Sequence, residues 1–380
     1  MSLLIYLVAG EQSGDALGAR LMSALRQRVP DVGFAGIGGA EMAAQGLASL
    51  FPLQDLALMG FLEVIPHLPL LRRRLTQTRN DIATRRPAAV ITIDSPGFAL
   101  RLLRSVPRGI TRVHYAAPQI WAWRERRARH YHGLWDQLLC LLPFEPAFFQ
   151  RHDLPARFVG HPVIESGADR GDGLRFREMH DIAPDATVLI VMPGSRRTEI
   201  ARLAPILGAT LERLSQTRTL APVVPVAPAV ADYVAQAVRT WHIRPILLTG
   251  RQEKYDSFAA AGAAVTKSGT STLELAMAGV PMIVTYRVNP LSAPLVRRLI
   301  TVPYASLLNL IAGSEVIPEL IQQDCTPAKL ATAIAGLLEG DEAIAQQEAI
   351  APLLQALRPP GGVLPSEAAA NAVLELVQQA

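Results

Sequence analysis

Two successive doubly wound α/β domains are what this sequence predicts, on three observations. Short apolar runs alternate with longer amphipathic ones, the βαβ rhythm of a parallel sheet with helices on both faces. That rhythm runs twice, separated by a turn-rich stretch at 158–173. The chain has 380 residues, 50% of them hydrophobic and 18% charged, enough apolar material for two large cores and too much for disorder.

In the first series, LLIYLVAG (3–10) reads as a buried strand. DALGARLMSALRQRV (15–29) follows with Leu17, Leu21 and Leu25 on one helical stripe. VGFAGIGG (32–39) is a strand and a Gly-rich loop, 68–86 a helix, and AAVITI (88–93) a strand. TRVHYAAP (111–118) and QLLCLLP (137–143) add two more strands. The second series opens with TVLIVMPGSRRTEI (187–200), strand then Gly loop then helix. Segments 221–228, 244–250, 261–279 and 280–288 continue it, and the remainder reads as mainly helical. Ser366 is the expected N-cap of a last helix, 366–380. The domains are then 1–163, joined by the C-terminal helix 364–380, and 164–363.

Composition narrows the function. Cys140 and Cys325 are the only cysteines and lie far apart, which excludes a disulfide scaffold or a cysteine zinc site. The start MSLLIYLVAGEQSGD lacks a basic n-region and reads as a first strand, not a signal peptide. Residues 1–160 carry 19 Arg and Lys against 12 Asp and Glu, while 161–380 carry 18 against 21. The positive excess therefore lies wholly in the first part and points to an anionic partner: nucleic acid, a phosphorylated ligand or an anionic membrane.

The motifs divide by domain. GxxxxGK[ST] is absent, and GIGGAE lacks the third glycine of GxGxxG, so ATPase and dehydrogenase readings lose support. HExxH, CxxC and DxD are also absent, which disfavours metal catalysis. PGSRRTEI (193–200) and KSGTSTLELA (267–276) each join a strand to a helix, where backbone N–H groups and the helix dipole receive phosphate. Arg196 and Arg197 add charge, and Glu274, one turn into its helix, is placed to bond a ribose diol. Two such loops favour a nucleoside diphosphate site.

In the first domain, GEQSGD (10–15) follows the first strand, and Asp15 is also explained as helix-start chemistry. YAAPQIWAWRERRAR (115–129) sets Trp121 and Trp123 among arginines, a pattern that stacks bases, holds a phosphorylated amphiphile, or packs a core beside a solvated basic face. LMGFLEVIPHLPLLRRRL (58–75) is apolar, Pro-interrupted and then basic, as in an interfacial segment or a buried helix pair. PAAVITIDSPGFAL (87–100) ends a buried run on Asp94, and Ser95-Pro96-Gly97 reads as a turn in which Gly97 permits close backbone approach. In open α/β sheets, ligands bind beyond the carboxyl ends of the strands, so Asp94 can face one while its strand stays buried.

The blocks AGEQSGD, GIGGAEM, MGFLEV, IDSPGF, YAAPQIWAWR, LPFE, FVGHP, PGSR, SGTSTLE and NLIAG occur in the order seen in lipid-A-disaccharide synthases. The chain resembles that family over about residues 3 to 325. The resemblance implies a GT-B fold, two Rossmann-like domains with a cleft between them. It implies an inverting, metal-independent and cofactor-free transfer. UDP-2,3-diacylglucosamine would give its sugar to 2,3-diacylglucosamine 1-phosphate, forming a β-1′,6 disaccharide and UDP. It further implies a cytoplasmic enzyme peripheral on the anionic inner membrane of a Gram-negative bacterium. No nucleic-acid partner is implied, and a homodimer is among the states it admits.

Position by position, Asp94 matches the essential carboxylate, the general-base candidate. Gly194, Ser195 and Arg196, then Ser268, Gly269, Thr270, Ser271 and Glu274, and finally Asn309, match the donor side. Glu11, Ser13, Gly14, Asp15, Gly60, Glu63, Trp121, Trp123 and Arg124 match the acceptor side. Many members read DAPDFN where this chain has Gly97 and Ala99, and SLPN where it has Leu308. Asp94 would thus act without a second acid in its own loop. The competing readings are a UDP-sugar 2-epimerase or soluble-acceptor transferase of the same fold, and a non-catalytic protein that binds membrane or nucleic acid through the Arg/Trp patch.

Overall fold

A computed structural model describes residues 3–56, 61–288 and 302–379, with side chains from 67 onward in the helix that begins at 61. Gly60 and the Glu63 side chain, two of the expected acceptor-side positions, lie outside the described residues. The chain divides into two compact units, 1–162 with 357–380, and 163–356.

The first unit is built on β1 (Leu4–Ala9), β2 (Gly33–Ile37), β3 (Ala89–Ile93), β4 (Thr111–Tyr115), β5 (Gln137–Cys140) and β6 (Ala156–Phe158). All pairings are parallel, in the order β2-β1-β3-β4-β5-β6. Its helices are α1 (Gln12–Arg28), α2 (Ala40–Ala44), α3 (Phe61–Arg85), α4 (Pro96–Leu103) and α5 (Glu145–Gln150). β3 is buried at every residue and β1 at all but its first, because a sheet covered on both faces needs continuous apolar strands rather than alternating ones. Tyr6, Leu7, Leu21, Leu25, Ile91 and Phe149 are fully enclosed in this core, each burial being worth about 1.5–3 kcal/mol before entropy.

The second unit starts with α6 (Gly173–Met179) and carries β7 (Thr187–Met192), β8 (Leu220–Pro225), β9 (Ile246–Leu248), β10 (Ala261–Lys267), β11 (Met282–Tyr286) and β12 (Glu319–Ile321). Its parallel order is β12-β11-β10-β7-β8-β9. The helices are α7 (Arg197–Ser215), α8 (Ala231–Ala237), α9 (Arg251–Ala259), α10 (Ser271–Met277), α11 (Leu307–Ala312), α12 (Pro327–Glu339) and α13 (Asp341–Ala356). α14 (Pro365–Gln379) returns to the first unit, where Arg28 of α1 bonds Asn371 at 2.5 Å and pairs with Glu367.

Several local expectations change. The helix expected from 68 begins at Phe61 and runs through Pro66 and Pro69 without interruption. β12 adds a strand to a stretch read as helical, and β6 ends inside the turn-rich stretch; three residues each are too few to show a period. Ser366 lies inside α14 rather than capping it, and the Glu367 carboxylate accepts the Leu364 N–H at 2.9 Å instead. Ser95-Pro96-Gly97 does not form a free turn, because Pro96 is the first residue of α4, where its missing N–H costs nothing.

The strand orders fix where ligands can approach. In the first sheet the chain steps outward from β1 to β2 and then back to β3. The switch in direction therefore falls between the carboxyl ends of β1 and β3. In the second sheet it falls between β7 and β10. Such switch points open the crevice in which doubly wound sheets bind ligands.

Candidate functional site

At the first switch point Ala9 pairs with Ile93, so the loops after β1 and β3 leave the sheet side by side. Asp94 and Ser95 both hold left-handed backbones, φ 55° and 44°. For two consecutive non-glycine residues this costs roughly 1–2 kcal/mol each. The Asp94 N–H donates to the Tyr115 carbonyl at 2.9 Å, and its Oδ1 accepts the Ser95 N–H at 2.7 Å. Ser13 Oγ stands 3.4 Å from Oδ2. The carboxylate is thus aimed and partly open to solvent, while Thr92, two residues earlier, is wholly enclosed and bonds His114 at 2.8 Å. Burial pushes the His114 imidazole down to about 4, so it stays neutral beneath the site at pH 7.

The glycine that allows close approach here is Gly10, where an added Cβ would lie 2.0 Å from the Ser95 Cβ. Gly97 meets nothing within 4 Å. This corrects the expectation that Gly97 permits close approach, because the tight packing lies one loop away. Ala99 is buried at 2% exposure, so an Asn there would need new partners. An acid at 97 has open space in the first turn of α4, where the helix dipole favours it by about 0.3–1 kcal/mol and where replacing glycine gains a further few tenths. Gly97→Asp should therefore melt at or slightly above the wild-type temperature. A loss above about 1 kcal/mol would show that the position is not open.

Asp15 is 2% exposed, and both its oxygens accept backbone N–H groups. Oδ1 takes the N–H groups of Gly39 (2.6 Å) and Met42 (3.1 Å), and Oδ2 that of Glu41 (2.9 Å). Asp15 accepts from the N–H groups at the start of α2 and so joins the loops after β1 and β2. Gly14 is buried, with space for a Cβ only 3.3 Å from the Ile93 carbonyl, while Glu11 is half-buried and Ser13 exposed. After β4 the chain carries Trp121, half-buried, and then Trp123, 39% exposed with the Arg124 guanidinium 3.8 Å above its ring.

At the second switch point Met192 pairs with Thr266, bringing the loops after β7 and β10 together. Gly194 has φ 117°, and a Cβ on it would lie 2.6 Å from Glu199 Oε2, so only glycine fits. Glu199, enclosed in α7, accepts the Ser195 N–H at 3.2 Å and pairs with Arg196 at 3.3 Å and Lys267 at 3.2 Å. Ser195 and Arg196 are themselves exposed. Ser268 Oγ donates to the Ala305 carbonyl at 2.5 Å, while Gly269, Thr270 and Ser271 lead into α10 with Thr270 exposed. Glu274 accepts from Lys254 Nζ (2.8 and 3.0 Å) and Tyr255 OH (2.9 Å). Burial and the Glu274 charge push the Tyr255 phenol up to about 12.

Asn309 is fully enclosed and uses its whole amide. Nδ2 donates to the Ile317 carbonyl and to Glu319 Oε1, both at 2.8 Å; Oδ1 accepts the Val316 and Ile317 N–H groups, both at 2.9 Å. Glu319 in turn accepts the Ala305 and Ser306 N–H groups at 2.8 Å, so this pair holds the segment to which Ser268 bonds. Leu308, where many members of the family carry a proline, donates its N–H to Ser306 Oγ at 3.3 Å.

Sequence reasoning missed Glu145, Glu199, Lys254, Lys267 and Glu319. One signal was present. The chain has only three lysines, and Lys254 and Lys267 each pair with a carboxylate of the second switch point.

A family model described as "Lipid-A-disaccharide synthetase" matches residues 5–370. Curated relatives named lipid-A-disaccharide synthase include one from Granulibacter bethesdensis, 52% identical over 99% of each chain. Another, from Gluconobacter oxydans, is 52% identical over 99% of this chain and 91% of its own. Among solved structures, a UDP-GlcNAc 2-epimerase from Neisseria meningitidis bound to UDP-GlcNAc superposes with a TM-score of 0.66 at 10% identity, covering 100% of both chains. The glycotransferase of kitacinnamycin reaches 0.67 at 18%, covering 99% of both. At such identities these two share the fold with this chain.

Proposed function

Since the chain belongs to the lipid-A-disaccharide synthase family and forms the lipid A disaccharide by glycosyl transfer, we propose that its two switch points divide that reaction. The first unit, with Asp94 as general base, serves the acceptor; the second binds the UDP-sugar. The observation that carries this is the strained, partly open carboxylate of Asp94 at the first switch point, held by the Ser95 N–H and the Ser13 hydroxyl.

The donor is UDP-2,3-diacylglucosamine and the acceptor 2,3-diacylglucosamine 1-phosphate. Asp94 takes the proton of the acceptor 6-hydroxyl as that oxygen attacks the anomeric carbon. The bond from that carbon to UDP breaks, UDP leaves with the electron pair, and configuration inverts. The Gly194 N–H, together with the Ser195 N–H and Arg196 as they exchange the bonds they now give Glu199, takes up the diphosphate charge. Glu274 receives the ribose by exchanging the bonds it now accepts from Lys254 and Tyr255. Asn309 acts through the 305–306 segment it anchors, since its own amide is fully used. Asp15 acts by holding the loops after β1 and β2 in place.

The basic surface of the first unit faces an anionic membrane, on the cytoplasmic side of the inner membrane. Arg72, Arg73 and Leu68 on α3 and Arg126, Arg127 and Arg129 beside Trp123 are exposed for this, while Arg74 is held by Asp55 at 2.6 Å. Among the described residues no helix is long and apolar enough to cross a membrane.

UDP release from the diacylated donor should require the diacylglucosamine 1-phosphate acceptor and persist in EDTA. Release without acceptor would favour the epimerase-like reading, and loss in EDTA would overturn the metal-independent mechanism.

A further inference from the structure

The Glu145 carboxylate has partners that the catalytic account leaves unused. Glu145 opens α5 just beyond β5 and is 3% exposed. Its Oε1 accepts the Trp121 indole N–H at 3.1 Å, and its Oε2 accepts the Leu141 and Leu142 N–H groups, both at 3.0 Å. One carboxylate thereby joins the segment after β4 to the turn after β5. From that same turn the Phe144 ring meets Trp121 edge-on, 4.9 Å between centroids. Because β3, β4 and β5 are successive neighbours, both segments leave the carboxyl edge that carries Asp94. Trp121 is followed by Trp123 and Arg124, so its position sets where that aromatic and basic pair is presented.

We infer that Glu145 is a positioning residue for acceptor binding, fixing the 120–124 segment beside Asp94 by holding the Trp121 indole N–H. The inference rests on the reading of the first unit as the acceptor half. Three N–H groups converge on the two oxygens, so the ionised carboxylate satisfies them best. An amide turns its NH2 toward donors and breaks at least one of these bonds. Burial pushes Glu145 up to about 7, against the three donors that favour its charge. The thiol of Cys140, on β5, is raised by burial and by the Glu145 charge, and so stays neutral across this range. Protonation of Glu145 below pH 7 therefore loosens the Trp121 tie, and the acceptor KM should rise there.

The test compares the full-length wild type with Glu145→Gln, Trp121→Phe and the double variant, reading donor KM, acceptor KM, kcat and melting temperature from pH 6 to 8.5. Trp121→Phe keeps an aromatic ring and removes the N–H. Each single variant should raise the acceptor KM about tenfold, with the donor KM unchanged. The double variant should be no worse than about either single, because both remove one bond. The rise in acceptor KM below pH 7 should vanish in Glu145→Gln. Additive losses, an equal rise in donor KM, or an unchanged acceptor KM in Trp121→Phe would overturn the inference. Trp121→Phe decides alone if Glu145→Gln does not fold. An Asp94→Asn variant run alongside separates the two levels. Full turnover there sinks the acceptor-half reading itself, whereas lost turnover there with an unmoved Trp121→Phe sinks only the role of Glu145.

Discussion

Asp94→Asn should lower kcat by about 10²–10⁴-fold, the usual contribution of a general base, while the affinity for the UDP-sugar stays within about twofold. The loss corresponds to about 3–5 kcal/mol of barrier. Asparagine is the informative replacement for a backbone reason. Asp94 sits at φ 55°, a conformation that asparagine tolerates as well as aspartate does. It also keeps an oxygen for the Ser95 N–H, so the loop stays as it is and only the proton acceptor disappears. Alanine would mix the chemical loss with the strain of a left-handed alanine. Steady-state kinetics with donor titration by calorimetry checks the expectation. A variant that binds donor poorly but turns over at the normal rate would move Asp94 out of catalysis.

Asp15→Ala should destabilise the first unit by about 3–5 kcal/mol. The Gly39, Glu41 and Met42 N–H groups lose a charged acceptor in a site only 2% exposed, and buried donors left without partners carry most of that cost. For a unit of this size each kcal/mol is worth roughly 2–4 °C, so the melting temperature should fall by roughly 6–20 °C. Asp15→Asn retains one oxygen and should fall between the two. UDP binding, which the proposed division assigns to the second unit, should survive in both. The separation matters because Asp15 lies in a motif that looks like substrate machinery. Unchanged melting with lost activity would mean that Asp15 touches the acceptor and is not a cap.

The place of Asp94 at the carboxyl end of a buried strand was legible in the sequence because its signal is local, an apolar run closed by a carboxylate, although Ser95-Pro96-Gly97 read as a turn and Pro96 in fact opens α4. Most strands of both doubly wound sheets were legible for the same reason, since an apolar run of five or six residues announces itself, whereas β6 and β12, three residues each, did not. What stayed hidden depends on partners outside the motif in which each residue stands. Asp15 and Asn309 occupy positions indistinguishable in sequence from ligand-binding ones, yet their bonds go to Gly39–Met42 and to Val316–Glu319. Glu274 reads as a free helix glutamate until α9 brings Lys254 and Tyr255 beside it. Gly97 drew attention that belonged to Gly10, because the approach of Ser95 to the β1 loop has no local trace. Glu145 was visible only as the last letter of LPFE; its tie to Trp121 spans 24 residues. A carboxylate that binds a ligand and one that binds its own backbone look alike until the sheet order places them.

The most direct test of Asp94 as the base is the rate of sugar transfer in a single turnover, with enzyme in excess over donor and acceptor saturating. Wild type and Asp94→Asn should bind the same amount of donor, and the variant should form disaccharide and UDP together at least about 100-fold more slowly. Transfer by Asp94→Asn at the wild-type rate would contradict the account.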